Sequence, residues 1–257
     1  NLTVFQRTPN YATPKRDRRL DAKDEAEIRK KQDDILEKAH SSESGYPFES
    51  SYDTAEGMTA EEVAGILEPR WQKGGFQFFT AFDDVRENKA TAEKVSEFVR
   101  RKIREQVDDP NTAEKLVPTD HYIGTKRPPQ YTDYYEVFNK DTVTLVDVTE
   151  NPIDRITSSG IQTTERHHEF DMIIYATGFD AVTGALRKIN IQGRNGLTLE
   201  EKWAAGPETY LGLSVHGFPN MFTVTGPQSP SVLSNMPVPI EHHVERISDT
   251  IADLLEE

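Results

Sequence analysis

Residues 170–178 read FDMIIYATG, and this stretch restricts the fold more than any other in the chain. From Phe170 to Ala176 the run is almost continuously apolar. A half-buried strand alternates apolar and polar positions, whereas an unbroken run suits a strand buried on both faces, as in a parallel sheet flanked by helices. An α/β fold is therefore expected. The run ends in Ala176-Thr177-Gly178, where small side chains let the backbone approach a ligand and glycine permits the turn. Ligands of open α/β sheets collect at the carboxyl ends of strands. Taken alone, the motif is equally a plain strand followed by a tight turn.

The rest of the chain has three textures. Leu2–Phe5 is a short strand-like run closed by Gln6-Arg7-Thr8-Pro9, and Pro9 and Pro14 prevent its continuation. Residues 15–118 read as helices. Ile28, Ile35, Leu36 and Ala39 fall on one face, and Thr59 with Glu62 forms a capping-box pattern. Val95, Phe98, Val99, Ile103 and Val107 trace a further helical stripe. The plain expectation is a solvated helical bundle packed on something else. From about residue 119 strands and turns return: Asp141–Val148 alternates, Ile161–Thr164 follows a Ser-Ser-Gly turn, and Met221–Thr225 is a strand candidate. Ile240, Val244, Ile247, Ile251 and Leu254 then mark a closing amphipathic helix.

Composition narrows the function classes. The formal net charge of -14 opposes a nucleic-acid partner and gives no support to an anionic membrane surface. No apolar run nears the roughly 20 residues of a membrane helix. With 0 cysteines, thiolate nucleophiles, disulfides and cysteine metal sites are excluded. The abrupt opening on NLTVFQRTP suggests an internal piece of a longer polypeptide.

Three segments hold candidate chemistry. In dinucleotide-binding units the residue after the second strand selects the cofactor, and arginine there accommodates a 2'-phosphate. Arg7 and Thr8 fit that role, although Arg7 alone is equally an ordinary surface residue. GPQSPSVLSNMPVPIEHH (226–243) leads a loop into a helix N-terminus, whose free amides suit an electron-rich ring or carbonyl. His242 and His243 are adjacent and point apart on a helix, and His167-His168 is no better placed, so no metal site is expected. The third segment is GTKRPP (124–129), two adjacent cations framed by a glycine and two prolines.

Together these segments resemble the C-terminal portion of the Baeyer–Villiger monooxygenases, class B flavoproteins of the phenylacetone and cyclohexanone monooxygenase type. The matching stretches, in unbroken order, are FQRTPNY (5–11), GTKRPP with YYEVFN (124–139), TVTLVDV (142–148), DMIIYATGFDAVTGAL (171–186), KWAAGPETYLGLSVHGFPNMF (202–222) and GPQSPSVLSNMPVPIEHHVE (226–245). The resemblance implies two Rossmann-type domains, only partly present, with a helical insertion in the NADP domain. Residues 1–14 and 119–178 would be NADP-binding, 15–118 the insertion, and 179–257 part of the FAD domain. The family's Gly-rich fingerprints and its FxGxxxHxxxW signature are missing and would lie upstream of Asn1, in an N-terminal half of the same polypeptide.

The resemblance also implies FAD and NADP as cofactors and a ketone and O2 as substrates. Reduced flavin would form a C4a-peroxide that converts the ketone to an ester or lactone. Arg127 matches the catalytic position, where a permanent cation stabilises developing negative charge. Lys126, Arg7 and Thr8 would share the NADPH phosphate. Thr177 and Gly178 would lie near the cofactors. Ser231, Val232, Leu233 and Met236 would border flavin and substrate, with Met236 equally a core residue. The implied enzyme is cytoplasmic and, when complete, a monomer. The rivals are a flavin-dependent N- or S-oxygenase, favoured less by the KRPP–YYEVFN block, and a non-catalytic fragment without flavin.

Overall fold

A computed structural model describes residues 1–42, 44–49, 51–229 and 234–256. In chain order the strands and helices are β1 (Leu2–Gln6), β2 (Thr13–Pro14), α1 (Ala22–Lys30), α2 (Gln32–Ser41), α3 (Ala60–Lys73), α4 (Lys89–Gln106) and α5 (Pro110–Leu116). Then come β3 (Gln130–Tyr131), β4 (Val143–Asp147), β5 (Ile153–Ile156), β6 (Gly160–Thr163), β7 (His167–Glu169), α6 (Gly184–Arg187), α7 (Leu199–Lys202) and α8 (Pro237–Glu256). The chain forms two compact units: Asn1–Ala22 with Phe48–Ile174, and Lys23–Pro47 with Tyr175–Glu257. Among the described residues no helix is long and apolar enough to cross a membrane.

In the first unit β1 pairs with β4 in parallel, from Leu2 beside Val143 to Gln6 beside Asp147. Parallel neighbours require a crossover, and here it contains α3, α4 and α5. The charged segment expected to be helical thus serves as a large connection within an α/β arrangement. α3 opens with the expected capping box: the Thr59 hydroxyl accepts the Glu62 N–H at 3.2 Å, and the Glu62 carboxylate accepts the Thr59 N–H at 2.7 Å. Its buried face, Val63, Leu67 and Trp71, meets Val95, Phe98, Val99 and Ile103 of α4 in the main core. Trp71 lies edge-on to both Phe78 and Phe98, with centroids 5.7 and 5.9 Å away. Lys94 on α4 ties down the turn before α3, donating to the carbonyls of Ala55, Glu56 and Met58 at 2.7, 2.6 and 2.8 Å. β5, β6 and β7 form a separate antiparallel sheet, which places His167-His168 on a hairpin.

The second unit has its own smaller core of Leu199, Trp203, Val215 and Phe218. α7 repeats the capping box with Thr198 and Glu201. The α2 end meets the start of α8: the Asn235 N–H donates to the Ser44 carbonyl at 2.7 Å, and the rings of His40 and His242 stack at 5.8 Å.

Two strand expectations are corrected. Phe170–Ala176 pairs with no strand among the described residues, and Met172 and Ile174 are 77% and 82% exposed. A strand needs neighbours to take up its N–H and C=O groups, and past Phe170, whose N–H donates to the Ser159 carbonyl, no described strand pairs with this run. Met221–Thr225 likewise makes only an isolated bridge, between Phe222 and Ser214. The helical stretch also divides. Lys23–Pro47 groups with the second unit rather than with the remainder of 15–118, and of its apolar stripe only Ala39 is buried. The two units also separate at 174/175, a few residues ahead of the boundary read from the sequence.

Candidate functional site

β1 delivers Arg7 and Thr8 to its carboxyl end, where both are exposed. Its last residue is fixed, because Gln6 Nε2 donates to the Lys115 carbonyl at 2.8 Å. Arg7 and Thr8 stand between two open grooves. One, of about 510 Å³, continues past Lys115, Asp120, Asp147 and Thr149. The other, of about 480 Å³, runs past Asn10, Pro129, Gln130 and Tyr134. Asp147 ends β4 directly beside β1, and bonds from the Thr149 hydroxyl and N–H hold its carboxyl below the usual carboxylate range. The ends of the parallel pair therefore present an arginine, hydroxyls and an ionised carboxylate to one groove.

The GTKRPP loop lies along the segment that follows β1. Gly124 turns the chain at φ +88°, in the left-handed region that glycine favours. Pro128 and Pro129 restrict the backbone after Arg127. The Pro129 carbonyl accepts the Thr13 N–H at 3.0 Å, and β2 pairs in parallel with β3. Asn10 Nδ2 donates to the Arg127 carbonyl at 3.2 Å. Lys126 and Arg127 are both exposed. Lys126 Nζ lies 3.5 Å from Asp120 Oδ2. The other Asp120 oxygen is 2.5 Å from His121 Nδ1, an interaction that holds the Asp120 carboxyl below its usual range.

The YYEVFN block anchors this loop from beneath. Tyr135 is fully buried and Phe138 joins the same core. Tyr131 meets Tyr135 edge-on at 5.0 Å and donates to Gln106 Oε1 at 2.6 Å. Burial pushes the Tyr131 phenol up to about 12 and the Tyr135 phenol higher still, so both stay neutral.

Of the residues expected to act together, Arg7, Thr8, Lys126 and Arg127 belong to the first unit, where Asn10 bonds the Arg127 carbonyl. Thr177, Gly178 and Met236 belong to the second unit. Thr177 is exposed, and Gly178 adopts φ +90° with open space where a Cβ would project. Ser231, Val232 and Leu233 lie outside the described residues. Sequence reasoning missed Asn10, Asp120 and His121. The available signal was position: Asn10 follows RTP directly, and Asp120-His121 stands just ahead of GTKRPP.

No family model matches the chain. Individual proteins do. A Baeyer–Villiger monooxygenase from Pseudooceanicola batsensis is 40% identical over 260 residues, covering 100% of this chain and 47% of the relative. The chain matches part of the Baeyer–Villiger monooxygenases along its whole length. A crystal structure of OTEMO in complex with FAD and NADP superposes with a TM-score of 0.94 at 39% identity, covering 99% of this chain and 47% of that one. The same degree of likeness extends to the phenazine N-monooxygenase PhzNO1 of Lysobacter antibioticus, 40% identical over 254 residues, 98% of this chain and 46% of the relative. The chain thus spans about half the length of the curated relatives it matches.

Proposed function

We propose that the polypeptide containing this chain is an FAD- and NADPH-dependent monooxygenase that converts a ketone and O2 to an ester or lactone and water. The observation that carries this reading is the meeting of the β1 carboxyl end with the GTKRPP loop. That meeting gathers Arg7, Thr8, Lys126 and Arg127 in one unit, bridged by the Asn10–Arg127 hydrogen bond.

The side chains suit the cofactors. Arg7 offers a planar fork of donors and Lys126 a point charge, both suited to a 2'-phosphate, and Thr8 follows Arg7 with a hydroxyl. The open space at Gly178 admits close backbone approach to a flat ring. When bound, NADPH supplies hydride and the flavin supplies activated oxygen. Arg127 has its main chain held by Asn10 and the two prolines. It would donate to the negative charge that develops on oxygen during attack at the substrate carbonyl. The complete polypeptide would act as a cytoplasmic monomer.

The test is Arg127→Ala in a flavin-loaded polypeptide of the relatives' full length. NADPH should still reduce the flavin while ester or lactone formation disappears. Continued product formation at the wild-type rate would refute the role of Arg127, and a preparation without flavin colour would refute the function. A second reading, oxygenation of a ring nitrogen, is favoured by the likeness to the Lysobacter antibioticus relative. Mass analysis of products from a cyclic ketone and from phenazine separates the two.

A further inference from the structure

We propose that His121 is a positioning residue that sets the preference for NADPH over NADH by fixing Lys126 through Asp120. This rests on the function proposed above. An isolated lysine–aspartate pair on a surface holds its geometry weakly, because two mobile side chains must be ordered in high dielectric. Here the pair itself is exposed, with side chains 46% and 53% accessible for Lys126 and Asp120. What sets it apart is the third member: the His121 side chain is only 5% accessible. Its Nδ1 lies 2.5 Å from Asp120 Oδ1, so the carboxylate is held from the protein side while its other oxygen faces Lys126 Nζ.

The imidazole is itself held on two further sides. Its ring stands edge-on to Tyr11 with centroids 5.3 Å apart, and Tyr11 belongs to the main core. The Tyr11 hydroxyl donates to the His121 carbonyl at 3.0 Å. On the far edge, His121 Nε2 lies 3.2 Å from Asn10 Oδ1, and the same amide donates through Nδ2 to the Arg127 carbonyl. One buried ring thus connects to both cations of the loop. Through Asp120 it reaches the ammonium of Lys126, and through Asn10 it reaches the main chain of Arg127. Neither cation touches the ring directly, so the role is positioning rather than catalysis.

The prediction concerns coenzyme discrimination, since only NADPH carries the 2'-phosphate that Lys126 would meet. The experiment compares kcat/KM for NADPH and NADH, with thermal midpoints, in the flavin-loaded full-length polypeptide and its His121→Ala and His121→Asn variants. His121→Ala should lower kcat/KM for NADPH by about tenfold, the scale of one charge-assisted hydrogen bond, and leave NADH unchanged. His121→Asn keeps an amide donor near the Nδ1 position and should restore most of the preference. Equal losses with both coenzymes, or a His121→Ala variant with its preference intact, would overturn the positioning role alone. A wild type that shows no preference for NADPH would overturn both this inference and the function on which it rests.

Discussion

The backbone N–H of Thr225 donates to Nδ1 of His243 at 2.9 Å. The imidazole is therefore an acceptor at that nitrogen, and protonation there would break the bond. Burial, with the neighbouring His242 charge second, pushes the His243 pKa below its ordinary value. The unfolded chain then binds this proton more tightly than the folded one. Stability from this group is complete above the unfolded value of about 6.5 and is lost as pH falls from there through the lower folded value. Urea unfolding at about pH 8 and about pH 5.5 should show a decline that is smaller in His243→Gln, whose amide oxygen can still accept from Thr225. An identical decline in the variant would contradict the assignment.

Core burial should outweigh helix capping in the first unit. Phe98 is 3% exposed and packs on both Trp71 and Phe78. Phe98→Ala should cost about 3–5 kcal/mol through lost transfer energy and the cavity left behind. Thr59→Ala, which removes the acceptor for the Glu62 N–H, should cost about 1 kcal/mol. Denaturant midpoints in the reverse order would show that α3 is held by its cap rather than by its buried face.

Gly160 tests the antiparallel sheet. A Cβ built there would stand 1.8 Å from the carbonyl oxygen of His168, a backbone atom of the paired strand. No side-chain rotation relieves that contact, so β6 and β7 must separate. Gly160→Ala should destabilise by about 3 kcal/mol, at the upper end of ordinary overpacking. Hydrogen exchange should quicken at Ile161 and His168 in particular, the hydrogen-bonded pair beside it, and unchanged protection there would refute the pairing.

Local signals in the sequence were legible where local physics decides. The Thr59–Glu62 box, the α4 stripe and the existence of β4 depend on neighbours within a few residues, and all three stand, although β4 buries Val146 between half-buried neighbours rather than alternating. The loop cations were legible because glycine and proline punctuate them. Phe170–Ala176 misled for the opposite reason. Apolarity states that a strand would be buried, but the burying surface must come from other segments, and the described residues do not supply it. The α1–α2 stripe fails similarly: periodicity shows a face without naming its partner, and Ile28 and Leu36 remain exposed. Asn10 and His121 escaped notice because their roles depend on contacts spanning 111 and 117 positions, which no spacing rule can register.

The three carbonyls gathered by Lys94 have a consequence for chemical modification. Ala55, Glu56 and Met58 wrap its ammonium much as a chelating loop wraps a metal ion, so the turn carries its own covalently attached cation. All three ammonium protons are engaged, which makes this amine slower to acylate than the exposed lysines. Once acylated, the charge is gone and three oxygen dipoles converge on nothing. A single modified nitrogen would then release the whole turn that leads into α3.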